Sequence, residues 1–467
     1  MNQPSSHPRD RLRRELGLGD ATMLVVSSVI GVGLFLTPGR VAAELPEANF
    51  FLLAWLVGGL LSLAGALANA ELGAMFPRAG GDYVYVSEAY GPPAGFLVGW
   101  LSFFVVYAGT IATLAAGFAQ GLEPLLAESG LFSGDELGGP ARIAISLALI
   151  ALTSWVNYRG VRSGASFNNV TAALKIATLG ALGLVGWVLA SPAAAPSAAA
   201  SASAATPGFV AFGLALSPVL FTYLGWNAPV YVASEIRNPG RNVPGALFLG
   251  LAICTALYLL LNGLYLRVLS IDGLAGDGHA AESAARVLFG DVGGTIVTVL
   301  ILVSIVGCLN ATILVGPRIA YAMALDGLFF AGTDRVHDRL QTPHVAIVVQ
   351  GVVAALLVAA LRTFPSLLDY TTFAILLAAM ASTSALYVMR RKRPDLPRPY
   401  RAWGYPVVPA AYFAANAAIA LALLRGRPHE CAIALAVTAT GLPFLVLFVR
   451  RERGVSREGP DGRDARR

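Results

Sequence analysis

The strongest constraint on the fold of this chain is a series of apolar stretches, each as long as a helix that crosses a bilayer. A hydrocarbon core about 30 Å thick requires roughly 20 apolar residues per helix. Of the 467 residues, 56% are hydrophobic and 13% are charged, against roughly 25% charged in ordinary soluble proteins. The sequence therefore predicts an all-α polytopic membrane protein, and it excludes intrinsic disorder, a secreted disulfide scaffold and a nucleic-acid-binding protein. The stretches predict twelve transmembrane helices, named spans 1 to 12, at residues 18–43, 50–75, 94–121, 140–157, 163–190, 208–236, 243–268, 289–325, 344–361, 367–390, 405–425 and 429–449.

The distribution of arginine predicts the orientation of the spans. Residues 390–401 carry six basic side chains, whereas residues 191–207 form an Ala/Ser/Pro segment without any charge. An even number of spans with both termini in the cytoplasm satisfies the positive-inside rule. We therefore expect an integral protein of the cell membrane, with a cytoplasmic tail at 1–17, a single transmembrane domain at 18–450 and a disordered cytoplasmic tail at 451–467.

The sequence contains no pattern typical of catalysis or of metal binding. The three cysteines, Cys254, Cys308 and Cys431, lie in apolar runs and predict reduced thiols without disulfides. The five histidines have no metal-ligand spacing, and the zinc-hydrolase, nucleophile-elbow and P-loop motifs are missing from the sequence. We expect a protein that is not an enzyme and has no cofactor.

Two predicted helices are interrupted near their middle. Span 1 contains Gly31-Val32-Gly33, and span 6 contains the sequence YLGWNAP at residues 223–229. In span 6, Gly225 lets the chain leave helical geometry, Asn227 can cap a restarted half-helix, and Pro229 fits its first turn, where no backbone N–H is needed. Either interruption alone is consistent with a packing kink, because glycine and proline are common in membrane helices.

Taken together, the two interruptions lie five helices apart, as an inverted repeat would place them. We predict a 5+5 repeat with halves at about residues 18–190 and 208–390, followed by spans 11 and 12. Unpaired N–H groups at a broken helix attract an anion such as a carboxylate, and open carbonyls accept from an ammonium group. The two interruptions therefore predict a mid-membrane site for a zwitterion shaped like an α-amino acid.

Several motifs resemble those of the amino acid–polyamine–organocation (APC) permeases, and within them of the L-type amino acid transporter-like branch. The clearest are IGVGLF at 30–35, FPRAGGDYVY at 76–85, FTYLGWN at 221–227 and PRIAYAMALDG at 317–327. The matches follow the family's order and cover most of the chain. The resemblance implies a LeuT-like fold with broken helices 1 and 6.

The resemblance also implies how span 1 binds the substrate. Amides in the break hold the carboxylate in the family, which here corresponds to Gly31, Val32 and Gly33. Carbonyls just before the break hold the amino group, which here corresponds to Val29 and Ile30. Val32 replaces the family's usual serine, which removes a hydroxyl group but retains the amide.

In span 6 the implied binding residues surround the second interruption. The carbonyl of Phe221 is expected to hold the amino group, and its ring resembles an aromatic side chain that covers the ligand in the family. Leu224 stands where the branch often has a small or acidic residue, so the pocket is expected to differ there. The further residues of the unwound part are Tyr223, Gly225 and Asn227.

Lys175 is a charged side chain midway along predicted span 5. The chain contains only one other lysine, Lys392, among 33 basic residues. A charge at the centre of a bilayer is unfavourable by at least about 2.5 kcal/mol. The resemblance implies that the ammonium takes the place of sodium and ties span 1 to span 8, and a buried lysine, unlike arginine, can also release a proton. A lysine that extends to the membrane interface is the alternative.

Three further charged residues, Glu71, Glu235 and Arg318, lie near predicted cytoplasmic ends of spans 2, 6 and 8. They are candidates for a gate of ion pairs, and a fixed pairing between helix ends is an equal alternative.

These features predict a sodium-independent amino acid permease that works by alternating access, through proton-coupled uptake or exchange. A polyamine or amino acid antiporter is an alternative, although a dication would favour an acidic residue in the pocket, and the surroundings of both interruptions are neutral. A non-transporting amino-acid receptor is a further alternative. The expected partners are a small-molecule amino acid and membrane lipid. Residues 122–139 lack the cysteine through which eukaryotic relatives join a glycoprotein, so we expect no disulfide-linked partner.

Overall fold

A computed structural model describes residues 14–128, 139–159, 161–190, 208–337 and 342–448. Within these ranges every regular element is a helix, and the only β-interaction is an isolated bridge between Leu16 and Ile236. Eleven of these helices are long and apolar enough to cross a membrane. The prediction of an all-α polytopic protein is confirmed. The predicted tail 451–467, most of the tail 1–17 and the loop 191–207 lie outside the described residues.

The predicted span 6 is the one that does not reach full membrane length as a single helix. Its first part, Phe209–Thr222, is a shorter apolar helix, because the chain leaves helical geometry directly after Thr222.

The helices of the spans have the following bounds. Span 1 comprises Leu18–Val29, Gly33–Leu36 and Pro38–Glu44, and span 2 is Ala48–Met75. Span 3 comprises Pro92–Trp100 and Ala108–Gly121, joined by a π-helix at Leu101–Tyr107, and spans 4 and 5 are Gly139–Tyr158 and Val161–Leu189. Spans 6 to 12 comprise Phe209–Thr222 and Ala228–Tyr231; Pro239–Leu274; Ala280–Val315 and Pro317–Leu325; His344–Leu361; Phe364–Lys392; Val407–Gly426; and Pro428–Phe448.

Some boundaries differ from the prediction because helices continue beyond the apolar stretch. The helix of span 7 extends to Leu274 across a kink at Ser270, where φ is 62°. Span 8 is preceded by a helical segment from Ala280, separated from it at Gly290, where φ is 72°. The segment between spans 2 and 3 contains a helix, Asp82–Tyr90, that the hydropathy pattern does not predict.

Hydrogen bonds fix which helix ends lie on the same side. The N–H groups of Glu15 and Leu16 both donate to the carbonyl of Glu235 at 3.0 Å, so the start of span 1 lies beside the end of span 6. We call this the N-terminal side. Arg40, near the far end of span 1, contacts Asp369 at the start of span 10 on the opposite side.

Small residues bring the central helices close together, as is typical of helix packing in membranes. A Cβ atom on Gly250 of span 7 would lie 2.4 Å from Val25 of span 1. A Cβ atom on Gly58 of span 2 would lie 2.4 Å from Val219 of span 6. Spans 1, 2, 6 and 7 therefore pack too closely for larger residues at these points, which holds both interrupted helices inside the protein.

Candidate functional site

The break in span 1 leaves three backbone donors unpaired. The first helix ends at Val29 and the next begins at Gly33. Among the described residues, the N–H groups of Gly31, Val32 and Gly33 donate no hydrogen bond. Buried backbone donors are nearly always paired, so three together mark a place where a ligand can bind. These are the amides that the resemblance assigns to a carboxylate.

The carbonyls that precede this break already accept hydrogen bonds from side chains of the protein. The carbonyl of Val29 accepts from the hydroxyl of Tyr258 at 2.9 Å. The carbonyl of Ile30 accepts from Lys175 at 2.6 Å and from the hydroxyl of Ser304 at 3.2 Å. A substrate amino group at either carbonyl would therefore share it with a side chain of the protein.

Lys175 is buried against span 1, with 3% of the residue exposed. Its Nζ lies 3.0 Å from the carbonyl oxygen of Ser27 and 2.6 Å from that of Ile30. The side chain therefore does not extend to the membrane interface. In the described part of the chain, Nζ makes no hydrogen bond to span 8. The link to span 8 is instead indirect, because Ser304 of that span donates to the same Ile30 carbonyl.

The break in span 6 lies directly against span 1. Gly225 has a φ of 101°, a conformation that side chains other than hydrogen strongly disfavour. A Cβ atom there would lie 2.8 Å from the carbonyl oxygen of Ser28. The helix restarts at Ala228 with Pro229 in its first turn, as expected, but the side chain of Asn227 makes no capping hydrogen bond. Its Nδ2 lies 3.5 Å from the hydroxyl of Tyr231 instead.

Tyr258 of span 7 connects the two breaks. Its hydroxyl lies 2.9 Å from the carbonyl of Val29 and 2.8 Å from that of Thr222. Each carbonyl is the last before its helix ends, and the single hydroxyl proton of Tyr258 is shared between these two open acceptors, one in each interrupted helix. The sequence offers no signal for this residue, which is one of two tyrosines in an apolar span.

Phe221 and Tyr223 make contacts with neighbouring parts of the protein. The ring of Phe221 packs edge-on against Phe364 at 6.4 Å, and its carbonyl accepts from the N–H of Leu224 at 3.0 Å. The hydroxyl of Tyr223 donates to the carbonyl of Trp55 at 3.2 Å.

A cavity with an empty volume of about 720 Å³, including the part open to solvent, lies on the N-terminal side of the breaks. It reaches them at Ser28 and Gly225, and Asn227 also lines it. Its other polar lining residues are Asn69, Asp82, Ser102, Tyr107, Thr110, Tyr231, Thr312 and Tyr412.

The remaining predicted binding residues, 29–33, Phe221 and Tyr223, do not line this cavity. Close packing explains why, because a Cβ atom on Gly33 would meet Thr222 and one on Gly31 would lie 2.8 Å from Cys308. The unpaired amides therefore lie behind the wall of the cavity.

Two of the three predicted gate residues lie together on the N-terminal side. Arg318 pairs with Glu235 at 3.1 Å, and both side chains are buried. Glu71 does not join them. Its carboxylate instead contacts Arg390 at 2.5 Å and Arg398 at 3.3 Å, at the end of span 10 and the segment that follows.

Truncating one member of the buried pair leaves the other charge without a partner. We expect Glu235→Ala to lower the free energy of unfolding by about 3–5 kcal/mol, because Arg318 then remains buried and unpaired. The matched control is Glu88→Ala, which removes the half-buried partner of Arg78 at 2.6 Å and should lower stability by about 1 kcal/mol or less. Denaturant titration in detergent measures both, and equal effects of the two substitutions would contradict the assignment.

A second set of ion pairs lies on the opposite side. Asp369 of span 10 is contacted by Arg40 at 2.8 Å, by Arg427 at 3.4 Å and by the hydroxyl of Ser217 at 3.0 Å. These contacts join the segment after the span 1 break to spans 6 and 10. Sequence reasoning overlooked Asp369, although an acidic residue inside a predicted span was an available signal.

Asp82, at the start of the helix between spans 2 and 3, was also overlooked. Its carboxylate accepts from the hydroxyl of Tyr231 at 2.5 Å and from that of Ser382 at 2.6 Å. Burial raises the pKa of this carboxyl group, and the hydrogen bonds from Ser382 and Tyr231 act in the opposite direction. The motif around Asp82 gives no sign that a residue outside the spans would reach the cavity.

The described side chains contain no group of three His, Cys, Asp or Glu residues that could hold a metal ion. All three cysteines are buried and unpaired. The cavity thus presents hydroxyl, amide and carboxylate groups, and its chemistry is that of binding a small polar molecule.

Comparison with known proteins agrees with this architecture. The family described as "Amino acid permease" matches residues 16–442. The chain is 30% identical to the serine/threonine exchanger SteT of Bacillus subtilis, over 96% of this chain and 99% of the relative. It is also 30% identical to the human b(0,+)-type amino acid transporter 1, over 95% of this chain and 89% of the relative, and 29% identical to the human large neutral amino acids transporter small subunit 2, over 94% and 81%. The interrupted spans 1 and 6 fit a LeuT-like fold, and the chain belongs to the amino acid permease family of the APC superfamily, in its L-type transporter-like branch.

Proposed function

We propose that this protein is a sodium-independent permease that moves an α-amino acid across the cell membrane by alternating access. The printed names of its relatives, an exchanger and two amino acid transporters, support the substrate class. The transmembrane domain would extend over residues 18–450, with both termini in the cytoplasm and without a disulfide-linked partner.

One observation carries this proposal. The break in span 1 has unpaired amides at Gly31–Gly33 on one side and the ammonium of Lys175 on its carbonyl side. The amides suit the carboxylate of an amino acid. The ammonium satisfies carbonyls that a sodium ion would otherwise coordinate, so folding the break does not require that ion.

Contacts on both sides of the breaks support alternating access. The Glu235–Arg318 pair connects span 6 to span 8 on the N-terminal side, and the contacts of Asp369 connect spans 1, 6 and 10 on the opposite side. A substrate that binds between these two sets of contacts would reach the unpaired amides of span 1 only when spans 1 and 6 rearrange. Substrate binding would therefore be coupled to the opening of one side or the other.

Sodium independence is tested by uptake into proteoliposomes loaded with unlabelled amino acids. We expect counterflow of a radiolabelled neutral amino acid at the same rate when sodium is replaced by choline, because Lys175 occupies the place of the ion. Protein-free liposomes are the control. A requirement for sodium would contradict the role of Lys175, and a lack of flux with every amino acid tested would contradict the transport proposal.

The same vesicles distinguish the coupling modes. Flux that requires internal amino acid indicates exchange, whereas net uptake driven by an inward proton gradient indicates proton coupling, in which Lys175 would be the proton carrier. Binding without flux would instead support the receptor alternative.

A further inference from the structure

The end of span 10 and the segment that leads to span 11 form a strongly basic stretch of the chain. Residues 390–406, here called the basic segment, carry six basic side chains and one acidic side chain. Span 10 starts on the opposite side near Asp369, so its other end and the basic segment lie on the N-terminal side. Such clusters are typical of proteins that bind acidic lipids, but the positive-inside rule also produces them. The placement of the individual side chains decides between the two.

Glu71 of span 2 holds the basic segment in place. The N–H of Ala402 donates to Oε2 of Glu71 at 2.6 Å, and Arg390 contacts the same oxygen at 2.5 Å. Arg398 lies 3.3 Å from the other carboxylate oxygen and also donates to four backbone carbonyls between residues 389 and 396. Arg390 and Arg398 therefore fix the shape of the segment and are not available to a ligand.

Two other arginines of the segment remain available. Arg391 and Arg401 are exposed, and neither forms a hydrogen bond or an ion pair within the part of the chain that the structure describes. Arg391 directly follows Arg390, and Arg401 directly precedes Ala402, so both flank the point at which Glu71 anchors the segment. The guanidinium group has the geometry to bind the oxygen atoms of a phosphate. The two arginines therefore offer a prearranged site for such an anion.

Apolar side chains beside these arginines place the surface at the edge of the bilayer. Val407, the first residue of the span 11 helix, is 70% exposed, and Trp403 is 78% exposed. Exposed apolar residues on a membrane protein contact lipid, and tryptophan prefers the level of the lipid headgroups. A ligand at this surface thus meets both positive charge and hydrocarbon. A phospholipid with a net negative charge matches both, whereas a soluble anion matches only the charge.

We propose that the basic segment binds an acidic phospholipid, whose phosphate lies against Arg391 and Arg401 and whose acyl chains lie along Trp403 and Val407. The inference goes beyond the proposed function, because it assigns a site for a membrane lipid and does not depend on the transported substrate. Its test measures lipid contact and no flux, so its failure and that of the transport proposal are distinguishable.

The test measures quenching of tryptophan fluorescence in phosphatidylcholine bilayers that contain brominated phosphatidylglycerol or, in equal amount, brominated phosphatidylcholine. Each protein is compared with the same protein carrying Trp403→Phe, so that the difference reports on lipid at Trp403. We expect phosphatidylglycerol to quench Trp403 more strongly. Combining Arg391→Gln with Arg401→Gln should lower this preference at least about fivefold, the factor for one basic side chain at an acidic lipid surface.

Arg335→Gln is the matched control, because Arg335 is exposed on the same side but lies outside the basic segment. This variant should keep the preference, and an equal loss in it would show that the preference follows overall surface charge, which overturns the site. Equal quenching by the two lipids in the parent protein also overturns it. If the double substitution prevents folding, Arg391→Gln and Arg401→Gln are measured singly. Each should still lower the preference, and an unchanged preference in both contradicts the proposal.

Discussion

Replacing Lys175 by alanine is expected to reduce amino acid counterflow at least about tenfold. The substitution leaves the carbonyls of Ser27 and Ile30 without the ammonium that lies 3.0 and 2.6 Å from them. The carbonyl of Ile30 would keep its hydrogen bond from Ser304, whereas that of Ser27 would lose its donor. A buried acceptor left unsatisfied is unfavourable by about 1–3 kcal/mol, and about 1.4 kcal/mol corresponds to a tenfold change in an equilibrium constant. Because these carbonyls border the break, the lost contacts should disorder the part of span 1 that binds substrate. Initial rates in proteoliposomes measure the effect.

The other lysine of the chain provides the matched control. Lys392 also donates to a backbone carbonyl, that of Ala89 at 3.2 Å, but it lies at the exposed end of span 10. Lys392→Ala should transport at close to the parental rate. Lys175→Arg keeps the charge and should still lose activity, since a planar guanidinium does not fit between the two carbonyls as a compact ammonium does. Parental activity in Lys175→Ala would refute the proposed role.

The second large effect is expected for Gly225→Ala, which should abolish measurable transport. At a φ of 101°, any side chain introduces strain of about 1–3 kcal/mol. The added Cβ would also lie 2.8 and 2.9 Å from the carbonyl oxygen and carbon of Ser28, which are backbone atoms that cannot rotate away. The two breaks would therefore be forced apart at the point where the cavity meets them.

Gly276→Ala is the matched control, because it introduces backbone strain without a close contact to another residue. Gly276 also has a positive φ, of 81°, but a Cβ atom there would have no neighbour within 4 Å. This variant should lose some thermal stability and retain transport. If Gly225→Ala transported at the parental rate, or if both variants lost transport equally, close contact between the breaks would not be needed for function.

The sequence was sufficient to predict the membrane helices and both interruptions. Apolar length determines where a helix can cross a bilayer, and glycine and proline identify where it cannot continue, so span 9 was predicted with its observed bounds, His344–Leu361. The special position of Lys175 was also recognisable, because a charge in the middle of an apolar span requires a partner.

The composition of the cavity was not predictable in the same way. Asp82 lies outside every span, and only the folding of the helix Asp82–Tyr90 against spans 6 and 10 brings it to the cavity. Tyr258 contacts both breaks through its hydroxyl, a contact that depends on the packing of span 7. Such tertiary contacts leave no periodic pattern in the sequence. The same limit applies to Glu71, whose arginine partners come from span 10 and the segment after it rather than from span 8.

The proposed transport requires that the unpaired amides of span 1 bind the carboxylate of an amino acid. The most direct test measures the thermal stability of the purified protein with the amino acid that gives the largest shift in a panel, with its α-amide and with the corresponding amine that lacks the carboxyl group. Ligands that bind the folded state raise its melting temperature. We predict a clear increase for the amino acid and none for the amide or the amine, and equal increases for all three would contradict the role of Gly31, Val32 and Gly33.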